Sequence, residues 1–215
     1  DVVCRYPERR DYPWSEKAPE DSVVGARCRA VARLAEGERC IVVASARSLL
    51  RRVPPVGSGY WASSTFSVGD EVPFDEVPAL LVGMGYADNG EVDAPGSFHV
   101  HGDAVDVFPA QATTPVRIEF FGDEIDRVRR MVAATGQTIG ELKSVTVSPC
   151  REMALTDETV ARAEEALYAR AQNDNALAAD LELISARAAQ PALERYLPEL
   201  YGGSATPIDH ASANA

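Results

Sequence analysis

Two clusters of side chains in this sequence have types and spacing that chemistry could use. The first is His99-Val100-His101-Gly102-Asp103, with Asp106 three residues on. On a strand, alternate residues project to one side, so His99 and His101 would point together beside two carboxylates, the kind of set a metal-dependent enzyme could use. A closed metal site takes three or four ligands, and no further His or Cys lies nearby in the sequence. Two half-exposed strand histidines ahead of a turn is therefore the plainer reading, and neither a metal nor any other cofactor is expected. The second cluster is Pro115-Val116-Arg117-Ile118-Glu119-Phe120-Phe121. Period-two alternation sends Val116, Ile118 and Phe120 to one face and Arg117, Glu119 and Phe121 to the other. A sheet face meant only for water would carry Thr, Lys or Glu. A large ring beside two charges has the composition of a docking surface, where Arg and aromatic residues are enriched. The bland alternative is a cross-strand pair covered by a helix of the same chain.

Other chemistries find no support in the residues. The nucleophile elbow G-x-S-x-G is absent, no Cys sits in a recognisable catalytic setting, and the phosphate-cradling pattern G-x-x-x-x-G-K-[ST] does not occur. The Gly57/Gly59 pair reads as a linker, Glu164-Glu165 as a solvated helix face, and His210 as part of a mobile tail. Acidic side chains outnumber basic ones 33 to 21, for a net charge of −12, which repels a phosphate backbone unless a basic stripe overrides it. The nearest candidate, Arg127, Arg129 and Arg130, is interleaved with Asp123, Glu124 and Asp126. The four cysteines, Cys4, Cys28, Cys40 and Cys150, form no C-x-x-C pair and read as reduced, mostly buried thiols of a cytoplasmic protein. No apolar run approaches a membrane span. The chain opens at Asp1 without Met and reads as a piece of something longer.

The elements that must position these residues change character along the chain. Residues 5–20 are rich in Pro and charge and read as an extended loop, with Trp14 pinned into the body. Asp21 or Ser22 caps a helix to about residue 36, with Val23, Val24, Arg27, Ala30, Val31 and Leu34 at helical spacing and Gly37 as its stop. Residues 40–44 form an apolar run suited to a buried parallel strand, and Ser45 opens a short helix. Pro54-Pro55 and Gly57-Ser58-Gly59 mark a boundary near residues 53–60. Beyond it come a strand over 61–68, a short helix over 74–84, and alternating segments joined by two Gly-Asp hairpin turns, Gly102-Asp103 and Gly122-Asp123. Four antiparallel strands result, with a fifth candidate at 143–148, and the register lets His99 and His101 share the Arg117/Phe121 face. Residues 156–172, 173–190 and 192–203 read as helices, and the remainder as a tail. The fold class is thus α/β plus α+β: an α/β lobe over residues 1–60, an inserted twisted antiparallel sheet domain over 61–150, and a helical return segment over 151–215. A docking face predicts an open, convex strand surface; the metal enzyme using His99, His101 and Asp103 predicts a concave pocket.

The segments GSFHVHGDAVDVFPA, PVRIEFFGDEIDRVRR and ATGQTIGELKSVTVSPCRE resemble the domain that transcription-repair coupling factors (Mfd) share with the excision-repair protein UvrB. YPWSEKAPEDSVVGARCRAVARL and CIVVASARSLLRRVPP are similar to the second half of the degenerate nucleotide-binding-type lobe before that domain, and LERYLPELYGG to the segment returning to it. The resemblance covers nearly the whole chain and is strongest over 96–152. It implies a partial P-loop-type lobe without Walker A, and a non-catalytic module that docks the damage-recognition ATPase UvrA. RNA polymerase, DNA and an ATP-dependent translocase motor would belong to other parts of the parent protein. The family's UvrA contacts include the Arg of a V-R-G turn, the Arg of a P-x-R strand and the second Phe of an F-F pair, which correspond to His101, Arg117 and Phe121, with Glu119 beside them on the face. His stands where Arg is usual at the turn, and would replace it only when protonated, so that binding strengthens toward pH ~6. UvrB itself is the second reading. The few candidates for an aromatic DNA-gripping hairpin between SARSLLRRVPP and GYWASSTF favour the coupling factor.

Overall fold

The strand that carries Arg117 and Phe121 lies inside a six-stranded sheet whose apolar face packs on a short helix and a separate two-stranded sheet. The computed structural model describes residues 2–11, 19–188 and 190–214, so Trp14 lies outside the described residues. In chain order the elements are β1 (Val2–Tyr6), α1 (Asp21–Ala35), β2 (Cys40–Ala44), α2 (Ala46–Leu49), β3 (Ser64–Ser67), α3 (Val77–Gly83), β4 (Ala87–Asp88), β5 (Ser97–His101) and β6 (Ala104–Val107). There follow β7 (Val116–Phe121), β8 (Glu124–Met131), β9 (Thr138–Leu142), β10 (Ser144–Val147), α4 (Asp157–Ala171), α5 (Asn175–Ser185), α6 (Leu197–Tyr201) and α7 (Pro207–Ala213). They form two compact units, one made of Asp1–Trp61 with Glu152–Ala215, the other of Ala62–Arg151.

The sheet of the second unit runs β4-β5-β6-β7-β8-β9. It is mixed rather than purely antiparallel, because the two-residue β4 lies parallel to β5. The two Gly-Asp pairs form the hairpin turns: His101 pairs with Ala104 and Phe121 with Glu124, and Gly102 and Gly122 hold φ of +60° and +65°. Only the first turn residue needs the left-handed region, which is where Gly stands. The strand expected at 143–148 exists, but it pairs with β3 in a separate two-stranded antiparallel sheet. The sixth position is filled by β9, from a Gly-containing segment with little alternation. Beneath the main sheet, Val105, Val107, Val116, Ile118, Phe120, Ile125 and Val128 pack with Leu81, Val77 and Phe66. Phe74 meets Phe120 edge-on at 5.1 Å.

In the first unit β1 and β2 pair in parallel, with α1 over one face. The expectation of a strand buried on both sides is corrected here: Ile41 and Val43 of β2 are exposed, as is Val3 of β1, and only Cys40, Val42 and Ala44 turn toward the core. Helix α1 begins at Asp21 with Glu20 in the capping position and no side-chain cap, so neither Asp21 nor Ser22 caps it. Its buried stripe is Val24, Arg27, Ala30 and Val31, and the turn at Gly37 has φ +72°. Helix α4 is capped by Thr156 and Thr159, and α5 by Asp174. Helix α5 stops at Ser185, short of residue 190, where Arg187 adopts φ +52°. The expected tail is ordered into α7, held by a Thr206/Asp209 capping box, a Val53–Ala205 bridge, and buried His210, whose Nε2 lies 2.9 Å from the Pro54 carbonyl.

A charge-balanced cluster ties this unit together. Arg9 binds Glu152 at 2.6 Å, Glu194 at 2.5 Å and Asp11 at 2.6 Å, while Arg51 bonds Asp11 and Glu194. The fully buried Arg27 donates to Glu152 and to the Tyr6 hydroxyl, and lies 4.0 Å over the Tyr6 ring. Removing one member would strand a buried charge, a loss of about 3–5 kcal/mol.

Candidate functional site

The outward face of β5, β6 and β7 is built by register. Arg117 on β7 sits directly opposite Asp106 on β6, Glu119 opposite Ala104, and Ala104 opposite His101 on β5. All three residues singled out on β7 face the same way: its burial alternates with Val116, Ile118 and Phe120 inside and Arg117, Glu119 and Phe121 outside. Phe121 is 82 % exposed, so no helix among the described residues covers it.

His99, His101, Asp106, Arg117 and Glu119 on this face each have a partner. Asp106, only 6 % exposed, accepts from Arg117 Nε at 2.7 Å on one carboxylate oxygen and from Arg117 Nη2 at 2.7 Å on the other. That two-pronged bond raises the Arg117 pKa above the usual guanidinium value. His101 Nε2 lies 2.8 Å from Asp106 and 3.1 Å from Arg117 Nη2. Its ring stacks on that of His99 at 5.8 Å. His99 turns its Nδ1 to Asp88, 2.9 Å away, and that bond, with the Gly90 N–H, holds the Asp88 carboxyl below its ordinary range. Glu119 is paired with Arg129 of β8. The two histidines thus engage separate carboxylates, and among the described residues no group of three or more His, Cys, Asp or Glu converges as a metal site would require.

The face is not convex. Because Ala104 is small and stands between His101 and Glu119, a shallow open depression of about 340 Å³ forms there, lined also by Asp103, Arg117, Phe120, Phe121 and Asp126. Asp126 arrives by a β-bulge: Glu119 pairs with Arg127 and Phe120 with Ile125, which leaves Asp126 as the extra residue on β8. Bulges re-aim side chains in this way beside functional surfaces. All four residues picked from sequence, His101, Arg117, Glu119 and Phe121, line this one depression. Asp126 and the anchoring role of Asp106 were missed. Only the second had a signal: an acid flanked by valines in Ala104-Val105-Asp106-Val107, a charged residue amid a buried strand that needs a cationic partner.

The model of the UvrB interaction domain family matches residues 65–153. A transcription-repair-coupling factor of Myxococcus xanthus is 36% identical over 197 residues, covering 91% of this chain and 16% of its own length. The Bacillus subtilis protein of the same name is 33% identical over 183 residues, or 81% of this chain and 15% of its own. UvrABC system protein B of Methanococcoides burtonii is 33% identical over 162 residues, or 73% of this chain and 24% of its own. The chain therefore spans about a sixth of the length of the coupling factors it matches and about a quarter of that UvrB.

Proposed function

Because this chain is homologous to the N-terminal region of transcription-repair-coupling factors and carries a UvrB interaction domain, with UvrB also a relative, we propose that it is a non-catalytic recruitment module that docks UvrA, linking stalled transcription to nucleotide excision repair. The observation that carries this reading is the Phe121 ring, left to solvent beside Arg117 and His101 on one sheet face. A rigid aromatic next to a guanidinium is the composition of an interface hot spot. Their strand is fixed by a buried core below and by ladder bonds on both sides, so the face is presented without reorganisation. In this reading His101, Arg117, Glu119 and Phe121 meet the partner. The first unit is a degenerate nucleotide-binding-type lobe that serves as a scaffold, and contacts with RNA polymerase, DNA and ATP belong to other parts of a cytoplasmic parent. A UvrB origin would present the same docking face.

Capture of purified UvrA, followed by calorimetry, tests this. The parent chain binds, and Phe121→Ala and Arg117→Ala each weaken binding by more than about 1 kcal/mol, as hot-spot truncations do. Variants that bind as well as the parent would end the assignment of this face.

A further inference from the structure

We propose that Asp106 is the positioning residue of the docking face: one buried carboxylate that holds both Arg117 and His101 in the orientation a protein partner meets. The inference rests on the docking reading above and adds to it a residue that does not itself reach the surface.

Asp106 stands on β6, between the strand of His101 and the strand of Arg117, and is almost wholly covered. A carboxylate in such a place requires compensation from cations and donors. Arg117 supplies it with a fork through Nε and Nη2, and His101 brings Nε2 to the same oxygen that Nη2 reaches. The arrangement works in both directions. A guanidinium free in solvent samples many rotamers, whereas one gripped through two of its nitrogens has its plane fixed before a partner arrives, and Nη1 makes no bond among the described residues. His99 is drawn off to Asp88, and Glu119 to Arg129, so neither competes for this pair. Lys in place of Arg117 could offer only a point contact to Asp106, so the fork asks for Arg specifically.

The full 215-residue chain provides the test. In nitrogen-15 NMR spectra of the parent, the Arg117 Nε–H signal is expected to be resolved and slow to exchange. In Asp106→Asn, which keeps size but loses charge, that signal merges with those of solvent-exposed arginines, and UvrA affinity falls at least about tenfold. Asp106→Glu restores part of both. Should Asp106→Asn not fold, Arg117→Lys reads the same link: it keeps the charge at that position, leaves the core untouched, and must lose UvrA affinity to a similar extent. An Arg117 Nε–H signal unchanged in Asp106→Asn, or an Arg117→Lys variant with parental affinity, overturns the inference. If the parent fails to bind UvrA, the recruitment reading falls, while the NMR comparison still decides whether Asp106 positions Arg117.

Discussion

Phe121 and Ile118 stand three residues apart on one strand, yet one ring is bare to solvent and the other side chain is sealed in the core. Truncating Phe121 therefore removes little from the fold, which is what lets a binding loss be separated from a stability loss. His101 is the more informative neighbour. Its Nε2 lies within hydrogen-bond reach of both Asp106 and Arg117, so it shares the carboxylate that fixes the guanidinium. Much of this site was legible in alternation alone, since Arg117, Glu119 and Phe121 are separated by period two. What stayed hidden was set by register: nothing local in Ala104-Val105-Asp106-Val107 says that its acid will lie opposite Arg117, and nothing in Glu124-Ile125-Asp126 announces a bulge that turns Asp126 onto the same depression.

The β7–β8 hairpin is the element on which the face depends, and its turn is also anchored from outside. Asp123 accepts from the Phe74 N–H through its carboxylate and from the Val72 N–H through its carbonyl. Gly122 holds φ +65°, and an added Cβ would meet nothing within 4 Å. The cost of Gly122→Ala is thus one of backbone conformation, about 1–2 kcal/mol, without steric clash. We expect urea denaturation to show that loss, and UvrA binding to weaken as well, because Phe121 is the residue just before the turn. An alanine variant as stable as the parent would mean the turn does not require the left-handed conformation. Turns of this kind were readable because Gly-Asp between alternating runs carries its own local chemistry. Pairing partners were not. Strand β10 carries the expected alternation yet joins β3, far away in sequence, and β4 is too short to leave a pattern. Helix α7 reads as a mobile tail in sequence because its seven residues show hardly any amphipathic period; it is held by a capping box and a few tertiary bonds.

At the scale of the whole chain, each of the two units has its own buried core. In the first unit His210, carried on α7, is buried against Trp61. Its Nε2–H donates to the Pro54 carbonyl at 2.9 Å, and its Nδ1 is buried with no partner among the described residues. A second proton would have to enter at that nitrogen. Burial therefore lowers the His210 pKa, against smaller opposing effects from the Pro54 bond and Asp209. The unfolded chain takes up the proton more readily than the folded one, so the stability that neutral His210 provides is complete above the unfolded value of about 6.5 and is lost as pH falls from there toward the lower folded value. Asp11 acts in a separate window. Burial pushes its carboxyl up, but the bonds from Arg9 and the charge of Arg51 outweigh this and hold it below the usual range, so its contribution is lost only below about pH 4. Scanning calorimetry between about pH 7.5 and pH 5.5 should accordingly show the melting temperature falling in the parent and staying nearly level in His210→Gln, which keeps a donor for Pro54 but cannot ionise. A parental melting temperature that holds or rises across that range would contradict the placement of His210 as a buried neutral group, and would return residues 204–214 to the status of a loosely attached tail.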